Sequence, residues 1–485
     1  MASQPSGMIT RLVHGALPIA IVLASMSALA RLAARPLANT DTYFHLRFGA
    51  EFLDSWSLRD PGHVTRFESA SWVPTQWLPQ TLMAQLERWT GLPGVAWWAG
   101  AQLVGMVAVL YLTARRSADA VVVAPLVPLA LLASTLGLSA RPQVISYALV
   151  ALTVAMWLGA RRSARAPWLL VPLTWLWATC HGMWPLAIVI GLVAVAGLAA
   201  DRQFPRRTVA SMAAVPLLSF AAAGLTPVGP AVYGAVLVVT SRAAYFSEWA
   251  PPDFTSVPCL VLLGLLGIAA VATLRRPHRA TWFEIGLLAV AAGLAVYSLR
   301  TVPAAAAMLV PLTARAVQGA RPHVPVGPRE FVAAALGGVV VLGALAVATP
   351  RTAPDPAVQL SATDAQLETV PSGTVVATDS GFGGYAMWRF PDLQITFHGY
   401  GDVYTADELE RNHMVETLEP GWDRELRRLR ATYAVLKRKS TLAYALESAY
   451  AWTPVRSPAA DDVPGGDPPF VVLRAPAGWL ESTAR

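Results

Sequence analysis

The densest grouping of side chains able to do chemistry is Asn39-Thr40-Asp41-Thr42-Tyr43-Phe44-His45-Leu46-Arg47-Phe48-Gly49. It brings a carboxylate, an imidazole and a guanidinium into one short stretch. If the chain is helical from Tyr43, Asp41 and His45 stand four residues apart on one face, with Arg47 further round. A carboxylate so placed can take a proton from an attacking hydroxyl. A guanidinium can hold a phosphate through its planar, permanently charged fork. The same residues also fit a plain helix start, with Thr40 or Asp41 capping free N–H groups and His45 and Arg47 facing interfacial water.

Other candidates lie at the edges of apolar runs. Arg141 and Arg300 can bind phosphate or snorkel with their stems in lipid. Glu248, in Tyr245-Phe246-Ser247-Glu248-Trp249-Ala250-Pro251-Pro252-Asp253, is either a second carboxylate that orients an acceptor or a solvated loop residue. His181 interrupts an apolar run at a desolvation cost unless it is partnered; with Gly182 and Pro185 it reads as a hairpin turn or a ligand contact. Near the C-terminus, Asp379-Ser380-Gly381-Phe382-Gly383-Gly384-Tyr385 follows an expected strand, a setting in which backbone N–H groups can cradle an anion. His398 and Asp402 follow closely. The only two cysteines, Cys180 and Cys259, support neither a disulfide framework nor a thiolate metal site.

The elements that must position these residues are mostly apolar helices. Hydrophobic residues make up 55% of the 485, charged residues only 14%, and the mean hydropathy is +0.46. Such a chain has lipid as its main solvent. The net charge of +7 does not point to nucleic acid, because the basic residues sit in short clusters between apolar runs. At roughly 17–25 apolar residues per span, about eleven spans are expected, near 14–32, 94–114, 119–138, 143–160, 166–181, 183–200, 208–225, 256–274, 281–299, 302–319 and 330–349. Arg11 precedes the first. Alternate loops then carry Arg115 and Arg116; Arg161, Arg162 and Arg165; Arg202, Arg206 and Arg207; Arg275, Arg276 and Arg279; and Arg315, Arg321 and Arg329. The positive-inside rule makes these loops cytoplasmic.

That topology puts the N-terminus inside and the C-terminus outside, and it places a long first loop (34–93) and a terminal domain (350–485) on the outer face. Arg11, the apolar stretch after it and Ala28-Leu29-Ala30 also fit a cleaved signal peptide, which would leave every later loop on the same side. The terminal part alternates short β-rich runs (Thr374–Ala377, Gln394–Phe397, Thr432–Leu436, Phe470–Leu473) with helical stretches (Gly384–Arg389, Ala406–Thr417, Thr441–Tyr450), as a small α/β domain does. The proline-bearing stretch Thr349–Pro356 serves as its linker. Aromatic residues crowd the first loop, Phe52, Trp56, Phe67, Trp72, Trp77 and Trp89 among them, either as an interfacial belt or as stacking surfaces for sugar. Ala and Val dominate the membrane half, as in proteins of high-GC bacteria.

The Asp41-Thr42-Tyr43-Phe44-His45-Leu46-Arg47 stretch resembles the first-loop Asp-x-Tyr-x-x-x-Arg pattern of oligosaccharyltransferase catalytic subunits, members of the GT-C glycosyltransferase superfamily. The chain also resembles bacterial GT-C-like membrane proteins. In these an Asp-x-x-x-His-Leu-x-x-Gly motif, here Asp41, His45, Leu46 and Gly49, precedes a proline turn and a Trp-Leu pair, here Asp60-Pro61 and Trp77-Leu78. Ala140-Arg141-Pro142-Gln143, Trp177 with His181-Gly182, Glu248-Trp249 and Gly383-Gly384-Tyr385 follow in the same order.

The resemblance implies a polytopic α-helical membrane protein that takes sugar from a polyprenyl-phosphate donor and delivers it to an envelope glycan or lipid on the outer face, with inversion by single displacement. It casts Asp41 and His45 as catalytic, and Arg47, Arg141, Glu248, Arg300 and His181 as substrate-binding. The chain departs from the pattern where Thr42 follows Asp41, since many such enzymes carry adjacent acidic residues in this loop. No Asp-x-Asp or Asp-x-Glu stands in another outer loop, so neither a divalent metal nor any other cofactor is expected. Two other readings are a non-catalytic protein that binds lipid-linked glycan, and a transporter or flippase. The second would normally place ionisable residues at mid-membrane, and the spans carry none there.

Overall fold

The computed structural model describes residues 15–275, 280–353, 356, 358–456 and 469–481. Arg11, Arg276, Arg279, Pro354 and Asp355 of the expected topology and linker lie outside these. The chain divides into two compact units, each discontinuous in sequence. The first comprises residues 1–34, 97–234 and 246–348, and the second 35–96, 235–245 and 349–485.

The first unit is helical. Four helices are long and apolar enough to cross a membrane by length and composition: Leu92–Arg115, Gln143–Ser163, Val257–Leu274 and Pro328–Thr352. Six others are apolar but shorter. The shortening has local causes. The run expected at 119–138 is broken into Ala120–Val123, Leu126–Ala133 and a 3-10 turn at Thr135–Gly137. Pro125 and Pro128 fall in it, and proline lacks the N–H that a continuous helix needs. The span expected at 166–181 is helical only over Leu170–Cys180.

At the heart of this unit lies Val302–Gln318, almost wholly buried and packed against Gln143–Ser163, Val257–Leu274, Trp282–Tyr297 and Leu126–Ala133. Its Ala304–Ala307 run presents little but methyl groups, so neighbouring backbones approach closely. Pro328–Thr352, by contrast, leaves Leu336, Val339, Val340 and Val347 exposed. Such a helix face is suited to contact with lipid or with another apolar surface. The helix also runs through Pro350, so the proline-bearing stretch expected as linker begins as helix.

In the second unit, a five-stranded sheet has the order β2-β1-β3-β5-β4, with β1 Val375–Thr378, β2 Gln394–Ile395, β3 Tyr433–Lys437, β4 Thr453–Pro454 and β5 Phe470–Arg474. β1 runs parallel to both β2 and β3, pairing Val375 with Gln394 and Val376 with Tyr433. β5 is antiparallel to β3 and β4. Helix Ala406–Thr417 starts at a capping box formed by Thr405 and Glu408, and Thr441–Tyr450 starts at the Ser440 cap. The strands and helices expected here are present within one or two residues, joined by Trp422–Arg428, Val358–Leu367 and β4, which the sequence pattern does not reveal.

The first-loop helices Asp41–Asp54 and Trp77–Thr90 pack together in the same unit. Gly49 makes this possible, because a Cβ there would collide with the Gln80 carbonyl. Gly383 and Gly384 do the same for the helix Gly383–Arg389. A Cβ on Gly383 would strike the Phe397 carbonyl, and one on Gly384 would come 2.7 Å from the Thr40 carbonyl oxygen.

Candidate functional site

Within the first unit, three side chains distant in sequence converge. Arg141 sits in the turn ahead of Gln143–Ser163, Glu248 in the 3-10 turn Ser247–Trp249, and Arg300 in the 3-10 turn Leu299–Thr301 that leads into the central helix. The Leu299 N–H donates to the Ala250 carbonyl at 2.9 Å and ties the last two turns together. Arg141 faces Glu248 end-on, its Nη1 at 3.2 Å from Oε2 and its Nη2 at 3.2 Å from Oε1. Arg300 Nη1 donates to Oε1 of the same carboxylate at 2.9 Å. Its guanidinium also lies over the Trp249 ring, 5.3 Å from the centroid.

Two guanidinium groups share this one carboxylate. A cavity of about 240 Å³ opens beside it, lined by Glu248, Arg300, Gln143, Tyr147 and Pro303. Gln143 is buried and its Oε1 has no hydrogen-bond partner among the described residues, although its Nε2 donates to the Gly137 carbonyl at 3.2 Å. Gly137 is needed here, since a Cβ would lie 2.5 Å from the Tyr147 hydroxyl.

His181 lies in the turn between Leu170–Cys180 and Pro185–Ala200 and is sealed from solvent. Its Nδ1 is 2.9 Å from Ser146 Oγ and accepts from the Met183 N–H, while the Trp177 indole donates to the same Ser146 oxygen. The imidazole is therefore held by protein groups on its Nδ1 edge.

The first-loop candidates belong to the second unit. Asp41 opens the helix Asp41–Asp54, where a carboxylate complements the positive end of the helix dipole. Its N–H is capped by Asn39 Oδ1 at 2.9 Å, so the capping expected of Thr40 or Asp41 falls to Asn39. His45, expected to face water or substrate, is 2% exposed. Its Nδ1 pairs with the Gln80 amide at 3.0 Å, and its ring packs against Phe44 and Tyr400. Arg47 pairs with Glu51 at 2.7 Å one turn along.

The first-loop aromatics stack on one another. Phe48, Phe52, Trp56, Trp72 and Tyr400 form a continuous cluster of edge and tilted contacts. The glycine-rich turn after β1 is occupied by its own carboxylate: Asp379 accepts from the Gly381 N–H at 2.8 Å and the Lys437 N–H at 3.4 Å. Burial raises the Asp379 pKa against the pull of Lys437. Arg242 donates to the carbonyls of Gly401 and Asp402 at 2.8 and 3.0 Å.

One pairing that the sequence reading missed is Glu68 with His398. His398 Nε2 lies 3.0 Å from Glu68 Oε1, and both side chains are 0% exposed. Burial alone would raise the Glu68 pKa, but His398 and the N–H groups of Val64 and Thr65 outweigh it and hold the carboxyl below its ordinary value. A lone loop glutamate gives no periodicity or motif to find it by. Among the described residues no group of three or more His, Cys, Asp or Glu gathers that could hold a metal.

No protein-family model and no curated protein matches the sequence. Solved structures do match. The Archaeoglobus fulgidus oligosaccharyltransferase AglB, in complex with an inhibitory peptide and a dolichol-phosphate, aligns over 89% of this chain and 70% of its own, with a TM-score of 0.53 and 12% identity. ArnT from Cupriavidus metallidurans, bound to undecaprenyl phosphate, aligns over 98% of this chain and 99% of its own, with a TM-score of 0.50 and 14% identity. The chain has a GT-C fold. A second structure of the Archaeoglobus enzyme, tethered to an acceptor peptide, covers 85% of the chain at a TM-score of 0.51. The oligosaccharyltransferase and ArnT are both GT-C membrane glycosyltransferases. At these identities the likeness speaks for the GT-C architecture alone, to which the apolar helices of the first unit belong.

Proposed function

We propose that this protein is a GT-C glycosyltransferase that moves a sugar from a polyprenyl-phosphate donor onto an acceptor of the cell envelope on the outer face. In this reading all eleven apolar segments cross the bilayer, with the N-terminus cytoplasmic and the C-terminal domain outside. The observation that carries the reading is the Arg141–Glu248–Arg300 trio. Its two converging guanidinium groups and its cavity suit a lipid phosphate, and arginine offers that phosphate paired, charge-assisted hydrogen bonds.

The reaction needs little else. An acceptor hydroxyl attacks the anomeric carbon, the bond from that carbon to the phosphate oxygen breaks, and its electron pair leaves with the lipid phosphate. Arg141 and Arg300 stabilise the charge that develops there. Asp41 takes the hydroxyl proton. A single displacement of this kind inverts the anomeric centre. His45, enclosed with Gln80, acts by fixing the helix that carries Asp41.

The test is transfer from a panel of undecaprenyl-phosphate sugars by purified protein, comparing wild type with Asp41→Asn and Arg300→Ala. Loss of transfer of about 10²–10⁴-fold in Asp41→Asn supports a general base. Full activity in that variant removes Asp41 from the role. Donor binding without consumption by wild type would favour a glycan-lipid binder on the same frame.

A further inference from the structure

Apart from the Glu248 trio, another part of the first unit gathers arginine with little acid to balance it among the described residues. An open depression of about 870 Å³ is bounded by the C-terminal ends of Leu92–Arg115 and Gln143–Ser163 and by the segment leading into Pro328–Thr352. Arg116, Arg162, Arg165 and His323 stand around it, and Leu112, Met156 and Phe331 contribute apolar wall.

The neighbouring Arg115 is neutralised, since its Nε and Nη2 meet the Glu330 carboxylate at 2.6 and 2.8 Å. Arg116, Arg162 and Arg165 have no acidic partner within salt-bridge distance among the described residues; Arg162 instead donates to Ser117 Oγ at 2.7 Å. These arginines come from loops that the positive-inside rule assigns to the cytoplasm.

Topology marking needs only that the charges lie on that side, and offsetting the negative ends of two helices needs only that they lie near the last turns. Neither requires that arginines from two loops and a histidine from a third converge on one depression with an apolar wall. That combination matches the two parts of a phospholipid, an anionic head and a chain beside it. We propose that this depression is a binding site for the headgroup of an anionic phospholipid of the cytoplasmic leaflet. Its phosphate is held by Arg116, Arg162 and Arg165, and its glycerol and upper chain lie against Leu112, Met156 and Phe331. The site is independent of the transferase reading, and so is its test.

Gly159 supplies a variant that changes no charge. It lines the depression, and a Cβ added there meets nothing within 4 Å, so Gly159→Phe projects into the open space. Full-length protein would be reconstituted in nanodiscs of equal phosphatidylethanolamine and phosphatidylglycerol. Lipid retained on release from the discs would then be read by native mass spectrometry, and folding checked by thermal melting. Wild type is expected to retain phosphatidylglycerol preferentially. Gly159→Phe and the double variant Arg116→Gln/Arg162→Gln should each lower that preference about tenfold. Arg206→Gln/Arg207→Gln, which removes equal charge from another loop of the same expected side, should leave it intact.

Equal retention of the two lipids by wild type would overturn the proposal. So would a preference that survives Gly159→Phe and the Arg116/Arg162 variant, or one lost equally in the Arg206/Arg207 control. Inorganic phosphate in excess should not displace the lipid; complete displacement would assign the site to a free anion instead.

Discussion

Glu248 and Glu68 are both acidic side chains held by basic ones, yet the two units use them in opposite ways. Glu248 is 33% exposed and shared by two arginines beside an open cavity. Glu68 is sealed with a single histidine and two backbone N–H groups, so its charge is met on every side that the fold presents. The lesson concerns counting and access together. A carboxylate shared by two guanidinium groups leaves them beside a cavity that an anion could enter, while one enclosed with a single partner joins two stretches of chain.

The comparison breaks first if Glu68 is not such a joint. Glu68→Ala leaves His398 buried without its partner, and loss of one member of a buried pair costs about 3–5 kcal/mol. The variant should melt well below wild type by tryptophan fluorescence in detergent; an unchanged melting curve would remove the distinction between the two sites. The same pair predicts a pH dependence. Because the folded-state pKa of Glu68 lies below its ordinary 4.5, the pair contributes fully above that value, and its contribution drains away as pH falls through the lower folded value. Relative to wild type, Glu68→Gln should therefore lose less stability on acidification across this range.

Next in size is the functional side of the contrast. Arg300→Ala should lower transfer by about 10²–10³-fold, the usual cost of removing one donor to developing charge. Arg300→Lys should recover part of it, because a point charge remains without the fork. If Arg300→Ala changes melting but not transfer, the trio is another joint rather than an anion site.

Gly49→Ala sharpens the packing side of the comparison. Forcing a methyl group against the Gln80 carbonyl should cost about 1–3 kcal/mol in melting, with the loss confined to the second unit as read by hydrogen exchange. The smallest effect belongs to the partly exposed Arg47–Glu51 pair, where Glu51→Gln should shift stability by no more than about 0.5 kcal/mol. A larger shift in that melting experiment would mean that Arg47 depends on Glu51 for more than an ordinary i,i+4 contact.

How much of this was legible in the sequence depended on the range of the signal. Strands rich in Val and helices with Ser or Thr caps carry their instructions locally, and the terminal α/β elements fell close to where those patterns put them. Arg141, Glu248 and Arg300 each stood out at the edge of an apolar run, but separations of 107 and 52 residues hid that they meet. His45 looked like a reactive group because an amphipathic helix pattern does not say which neighbours will cover it. Gly49, Gly383 and Gly384 were visible as motif letters, while their physical reason, backbone carbonyls in the place of a side chain, needed the partner helices. Apolar length alone also overstated regularity, as Pro125 and Pro128 illustrate.

Glu68 and His398 are separated by 330 positions, and the residues between them include most of the apolar helices. Glu68 is synthesised first, yet the side chain that closes on it arrives 330 positions later. Through all that time the Asp41–Asp54 helix, its glycine notch and its aromatic neighbours must persist without the domain that covers them. Contacts of such long range are formed late and slowly. Closure of the first loop thus waits for the segment that carries His398, and a ribosome that stalls before it leaves behind a first loop that has nothing to close on.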